Sequence, residues 1–399
     1  MTRGIGGSNA AAELASLTPW QNRAPAITVD ERLGRIEKAR RLMRENGVDA
    51  LLVNAGTSLR YFAGVTWGAT ERLVAMLLPA SGKPIVICPN FELGSLQAEL
   101  VIDADIRLWE EHESPSELVA NALRELGTQT LALDPAMALM FVDRIRKAAP
   151  SLDVVEGSAI IDGCRMQKSP AELALMKQAK AMTLEVHRRA ASILREGITA
   201  TEVRRFIDEA HRAMGASGYS FCIVQFGRST AFPHGLPGES YLHEGDVVLI
   251  DTGCTIEGYH SDITRTYVFG QANAEQRAMW ELEKAAQQAA FDAVKPGVPC
   301  EAVDYAARAV LEKAGLGPDY RLPGLPHRTG HGIGLSIHEP AYLVRGDKTP
   351  LAPGMCFSNE PMIVVPDKFG IRLEDHFYVT ENGAEWFTQP QHAIDALFG

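Results

Sequence analysis

The second half of this chain repeats itself, and that repetition limits its fold more than any other feature. Gly197, Val203 and Gly215 recur 100 positions on as Gly297, Val303 and Gly315. Each triplet falls at the same points of a unit that reads long helix, glycine break, second helix, then strands. The strand-rich runs are Phe221–Gly227 and Asp246–Phe269 in the first copy and Gly354–Thr380 in the second. Two copies about a pseudo-twofold axis bring equivalent strands face to face, where a shared site can form. The first copy opens at Ser169-Pro170-Ala171-Glu172. Its hydroxyl N-cap, Pro at the first helical position and Glu three residues after the cap satisfy or dispense with the backbone donors a helix start leaves over. Leu175, Ala179, Met182, Val186 and Ile193 follow on one face at helical spacing.

At 399 residues the chain exceeds the roughly 250–300 that one core sustains, which predicts two domains, residues 1–164 and 165–399. The first alternates helix and strand, as an α/β domain does. An amphipathic helix from residue 31 leads through Gly47 into the strand Asp49–Val53, followed by strand signals at Leu73–Leu78 and Pro84–Cys88 and a helix over Pro115–Leu126. The net charge of −11 repels phosphate backbones and argues against a nucleic-acid partner. No 18-residue apolar run suggests a membrane span, and the first residues lack the apolar stretch of a secretory leader. The cysteines at 88, 164, 222, 254, 300 and 356 are far apart and include no Cys-x-x-Cys pair. They read as reduced core residues of a cytoplasmic protein.

Eight of the eleven histidines lie after residue 230, in a stretch whose apolar strands also carry acids. Val247–Asp251 and Asp262–Val268 flank the turn Ile256-Glu257-Gly258, a hairpin signature. Centring that turn between Ile256 and Glu257 predicts that Asp251 faces Asp262. Like charges facing each other at about 4.5–5.5 Å destabilise a sheet, so a cation belongs between them unless both acids are solvated on an edge. The second copy repeats the pattern: Glu360 and Glu374 pair if the hairpin centres on Asp367. Two acid pairs in equivalent places argue against solvated coincidence. His331, between Gly330 and Gly332, adds an imidazole where glycines permit close backbone approach. Four carboxylates and one imidazole make a ligand set for two divalent ions, hard enough for Mn²⁺, Co²⁺, Zn²⁺ or Fe²⁺.

In this stretch, Pro233-His234-Gly235, Asp251-x10-Asp262-Ile-Thr-Arg-Thr, Gly330-His331-Gly-Ile-Gly, His338-Glu339, Asn359-Glu360-Pro361 and Ile371-Arg372-x-Glu374-Asp375 resemble, in order, the motifs of the pita-bread metallopeptidases. That group comprises methionine aminopeptidase, aminopeptidase P and Xaa-Pro dipeptidase (prolidase). Asp49-Ala-Leu-Leu-Val53 with Arg60-Tyr61-Phe-Ala-Gly64 resembles the amino-terminal domain of the proline-specific branch. The resemblance implies an α+β protein: a C-terminal pita-bread fold of duplicated helix–hairpin units behind a smaller α/β N-terminal domain. It implies two metal ions, manganese first with cobalt or zinc as alternatives, on Asp251, Asp262, His331, Glu360 and Glu374, with Asp262 and Glu374 bridging.

It further implies that water activated between the ions cleaves Xaa-Pro dipeptides, with Glu360 as base and His234 and His338 supporting substrate and oxyanion. Arg372 would lie near the substrate or orient a ligand, His327 and Arg345 would meet the substrate's terminal carboxylate, and Thr264 and Asp375 would orient ligands. A homodimer is implied as well. The alternatives are an aminopeptidase P acting on longer Xaa-Pro-Yaa peptides, hydrolysis of a non-peptide C–N bond, and a non-catalytic binding protein on the same fold. One departure stands out: proline-specific members carry a Tyr four residues after the Glu of their Glu-Pro-Gly motif, and here that position is Val364 behind Glu360-Pro361-Met362.

Overall fold

The computed structural model describes residues 4–398, which divide into two units, residues 27–165 and residues 4–26 with 166–398. The first unit is built on a six-stranded sheet ordered Asp105–Trp109, Ile85–Pro89, Ala75–Pro79, Ala50–Asn54, Thr130–Leu133, Asp153–Glu156. Its three inner strands from the first half of the unit are buried at every residue, which is why they read as continuous apolar runs instead of alternating ones. Ala50–Asn54 runs antiparallel to Ala75–Pro79 and parallel to Thr130–Leu133.

In the second unit the helix Pro170–Ser192 starts with the expected capping box at Ser169 and Glu172. Leu175, Ala179, Met182, Val186 and Ile193 are all buried. The duplication is visible in the backbone. Helices Ala200–Ala213 and Cys300–Lys313 stand 100 residues apart, and Gly197, Gly215, Gly297 and Gly315 all have left-handed φ. Val203 and Val303 are fully buried. Even the connecting bonds repeat: Gly197 N donates to Leu242 O as Gly297 N does to Leu351 O, both at 2.8 Å.

The first copy's strands form a three-stranded sheet ordered Ile263–Val268, Val247–Gly253, Phe221–Phe226. The second copy contributes a five-stranded sheet ordered Glu339–Leu343, Gly330–Gly332, Cys356–Asn359, Asp375–Val379, Ala384–Trp386. A bridge between Thr264 and Glu374 joins the copies.

Two differences from the sequence reading emerge. Residues 4–26 were expected to belong to the first domain, yet Leu14, Leu17 and Trp20 pack on the apolar cluster of the second unit, and Trp20 N donates to Met214 O at 2.9 Å. The first hairpin is also centred one residue later than expected. Glu257 and Gly258 both have positive φ, the requirement of a tight two-residue turn, so Ile256 pairs with Tyr259 and Asp251 with Thr264, not with Asp262. A shift of two in register preserves the face of every side chain. Asp262 therefore lies diagonal to Asp251 on the same face.

Candidate metal centre

The second hairpin has the expected register. Met362 pairs with Arg372 and Asn359 with Asp375, so Glu360 and Glu374 stand opposite each other between the two ladders. Asp251, Asp262, His331 and Glu374 are buried, and the Glu360 side chain is 15% exposed.

His331 donates from Nδ1 to the Gly332 carbonyl (3.0 Å), since a carbonyl can only accept. Its Nε2 then faces Glu360 Oε1 at 3.2 Å and Asp262 Oδ2 at 3.7 Å. Lone pairs on an imidazole and two carboxylates converge there, an arrangement that a shared cation satisfies. Donor atoms of His331, Glu360 and Glu374 lie within 4.8 Å of one another, as do those of Asp262, Glu374 and His376. Asp251 Oδ1, Asp262 Oδ1 and Glu374 Oε1 are buried with no hydrogen-bond partner. Buried carboxylate oxygens are costly unless paired or coordinated. The residues fit divalent ions.

The surrounding groups hold the carboxylates in place. Thr264 Oγ1 donates to Glu374 Oε2 (2.8 Å) and Ser358 Oγ to Glu360 Oε1 (3.0 Å). Asp375 acts indirectly: it accepts from Arg265 (2.7 Å), whose other nitrogen bonds the carbonyls of Thr264 and Glu374. Arg372 donates to Asp251 Oδ2 at 2.6 Å and to Thr264 Oγ1 at 3.2 Å. These two bonds hold Asp251 and Thr264 in place.

Burial, then the charges of Glu374, Asp251 and Glu360, pushes Asp262 well above the usual carboxylate range. Burial followed by Glu360 and Asp251 does the same to Glu374. Burial also works against charge on Glu360, but without metal a protonated His331, through its bond and charge, and with His327 and Arg372, holds it down at about 2; metal binding requires His331 to give up that proton. Groups raised by folding stabilise the protein at low pH, and that stability is lost as pH rises through their folded values. Metal-free protein is therefore expected to lose stability as pH rises above the ordinary carboxylate range, and divalent ions to restore it. Saturation at 100 times Kd adds about 2.7 kcal/mol. The gain in Tm on adding Mn²⁺ should be larger at pH 8 than at pH 5.5 by scanning fluorimetry; a gain independent of pH would contradict this charge arrangement.

His338 lies against His331, ring centroids 4.2 Å apart, and packing around it followed by the His331 charge lowers it to about 4. His234 is exposed on the segment after Ala231, close enough to contribute to that lowering. His327 donates from Nδ1 to the Arg328 carbonyl (2.7 Å), leaving Nε2 buried and unpartnered. Arg345 is not drawn into the cluster: its exposed guanidinium pairs with Asp319, which the sequence could not show to be its neighbour. Val364 is buried in an apolar cluster, with no hydroxyl in its place. Ser358 and His376 were missed. For His376 the signal was available, because it stands two residues past Glu374 and so on the same strand face.

Comparison with known proteins accounts for both halves. Residues 174–381 match the model of metallopeptidase family M24, and residues 35–167 that of the creatinase/prolidase N-terminal domain. The chain is 38% identical over 341 residues to a probable dipeptidase PepE of Mycobacterium tuberculosis, covering 85% of this chain and 89% of that one. It is 31% identical over 359 residues to a Xaa-Pro dipeptidase of Lactobacillus helveticus, covering 88% and 96%. The crystal structure of dipeptidase PepE from Mycobacterium ulcerans superposes with a TM-score of 0.86 at 37% identity, over 93% of this chain and 99% of that one. These proteins share the pita-bread architecture of a duplicated catalytic half behind a smaller N-terminal domain, and the present chain belongs to metallopeptidase family M24, whose members work with divalent metal ions.

Proposed function

We propose that this protein is a Xaa-Pro dipeptidase, hydrolysing the bond ahead of a carboxy-terminal proline with two divalent ions, manganese first and cobalt or zinc as alternatives. The observation that carries this reading is the convergence of Asp262, Glu360, Glu374 and His331 at one buried site, where the charge of Asp251 also bears on Asp262 and Glu374 and three carboxylate oxygens are unpartnered. Relatives named dipeptidase and Xaa-Pro dipeptidase support the substrate class. Catalysis belongs to residues 166–398, and Asp251, Asp262, His331, Glu360 and Glu374 would hold the ions, Asp262 and Glu374 bridging.

When bound, the ions acidify water and polarise the scissile carbonyl. Glu360 accepts a proton from the attacking water and passes it to the departing proline nitrogen as the C–N bond breaks. His338, neutral at neutral pH, donates to the carbonyl oxygen as it gains charge, a contribution of roughly 10²–10³-fold for such donors. His234 and His338 flank the substrate, and the unpartnered Nε2 of His327 meets its terminal carboxylate. With Val364 in place of the hydroxyl, Glu360 and His338 carry the proton traffic alone. The six cysteines are all free, five of them buried, which suits a reducing, cytoplasmic setting. No helix among the described residues is long and apolar enough to cross a membrane. A homodimer completes the proposal.

Assaying Mn²⁺-loaded protein on Leu-Pro and on a Leu-Pro-Yaa tripeptide tests it. Turnover of Leu-Pro is the expected result. Turnover of the tripeptide alone would reassign the protein as an aminopeptidase P, and turnover of neither, with no bound metal, as a binding protein.

A further inference from the structure

The binuclear reading leaves one residue of the cluster unused. His376 lies two positions beyond Glu374, so the two side chains leave the strand on the same face. It pairs across the ladder with Ser358, and directly opposed residues share a face; Ser358 bonds Glu360 Oε1. His376 thus points toward the carboxylates. It is fully buried, and neither ring nitrogen has a hydrogen-bond partner. Its Nε2 lies 3.7 Å from Glu374 Oε1, too far for a hydrogen bond.

Glu374 Oε1 and Asp262 Oδ1 are unpartnered too, and donor atoms of Asp262, Glu374 and His376 fall within 4.8 Å of one another. The buried cationic side chains nearby are committed elsewhere. Arg372 bonds Asp251 at 2.6 Å, and Lys180 Nζ bonds the His260 carbonyl at 3.0 Å. A metal ion would satisfy two carboxylate oxygens and an imidazole lone pair together.

We propose that His376 is a metal ligand, supplying an imidazole to the ion held by Asp262 and Glu374 while His331 serves its neighbour. This rests on the binuclear reading. The ligand class it implies is a borderline transition-metal dication, since an added imidazole disfavours Mg²⁺ and Ca²⁺ relative to Mn²⁺, Co²⁺ or Zn²⁺.

X-ray absorption on the intact protein reconstituted with Co²⁺ alone tests this without any substitution. Two imidazoles per pair of ions are expected; two ions with a single imidazole would overturn the role of His376 and leave the binuclear reading standing. Failure to bind two ions would remove that reading and this inference with it. In parallel, His376→Ala and the apolar, ring-sized His376→Phe should bind one of two Co²⁺ ions more weakly by roughly 10-fold or more; loss of a supporting group can weaken affinity as much, so the spectrum separates the two roles. The visible Co²⁺ absorption should change, and free imidazole should restore it in the Ala variant. Affinity and spectrum unchanged in both variants would overturn the proposal.

Discussion

Asp262→Asn is expected to abolish most activity while making the metal-free protein more stable. The substitution keeps the volume of the side chain and removes one charge from a buried cluster in which Glu374, Asp251 and Glu360 already repel it. Relief of that repulsion should raise Tm of the stripped protein at pH 7–8, where the charged form is most strained. If Asp262 holds the ions as proposed, the same change removes a metal ligand. Metal ions contribute several kcal/mol of charge stabilisation, and each 1.36 kcal/mol is a factor of ten in rate, so kcat/KM on Leu-Pro should fall by roughly 10³-fold or more. Opposite signs for stability and activity separate loss of the site from loss of the fold. A stripped variant less stable than the stripped parent would contradict the charge argument, and near-normal turnover would contradict the ligand assignment.

The second large effect is expected at Arg265, which bonds no side chain of the proposed ligand set. Its side chain and that of Asp375 are completely buried, 2.7 Å apart, and its guanidinium also bonds the carbonyls of Thr264 (3.0 Å), Glu374 (3.1 Å) and Gln389 (3.3 Å). Arg265→Leu strands the Asp375 carboxylate in the interior. Breaking a buried pair in this way costs about 3–5 kcal/mol, readable as a lower urea midpoint. Because the guanidinium ties together the two strands that meet at Thr264 and Glu374, Mn²⁺ affinity should also fall, by roughly the 10–100-fold seen when ligand supports are removed. Adding Asp375→Leu should recover part of the stability, since an apolar pair replaces an unpaired charge, but not the metal affinity. Unchanged stability in Arg265→Leu would show that this pair is not needed to hold the copies together.

Much of the fold is legible in the sequence. The capping residues Ser169 and Glu172, the glycines 100 positions apart and the acid pairs within apolar strands each have a local physical signature, and together they point to a duplicated unit with acids at its centre. The hairpin carrying Glu360 and Glu374 read correctly because its loop is symmetrical about Asp367. The other slipped by two because the positive φ of Glu257, a residue that seldom adopts it, is what fixes that turn. The slip did no harm to the site, since an even shift keeps both aspartates on one face.

What could not be read depends on contacts between distant parts of the chain. Nothing near Trp20 announces that it packs beside Met214, and nothing near Arg345 announces Asp319. Nothing near Arg372 in the sequence announces its bond to Asp251 either. The motif positions carry the proposed ligands and catalytic residues, whereas His376 lies outside them and is placed beside Glu374 by strand alternation alone.

The account's central claim is that carboxylates from both copies of the repeat share a pair of metal ions. The most direct measurement is the metal-to-chain ratio, by mass spectrometry of the elements, after stripping and reloading the protein with Mn²⁺ and removing the excess. Two ions per chain in the parent protein, falling to one or none in Asp262→Asn while the fold persists, is the predicted result. A parent protein that hydrolyses Leu-Pro with no bound metal, or an Asp262→Asn variant that still retains two ions, would contradict it.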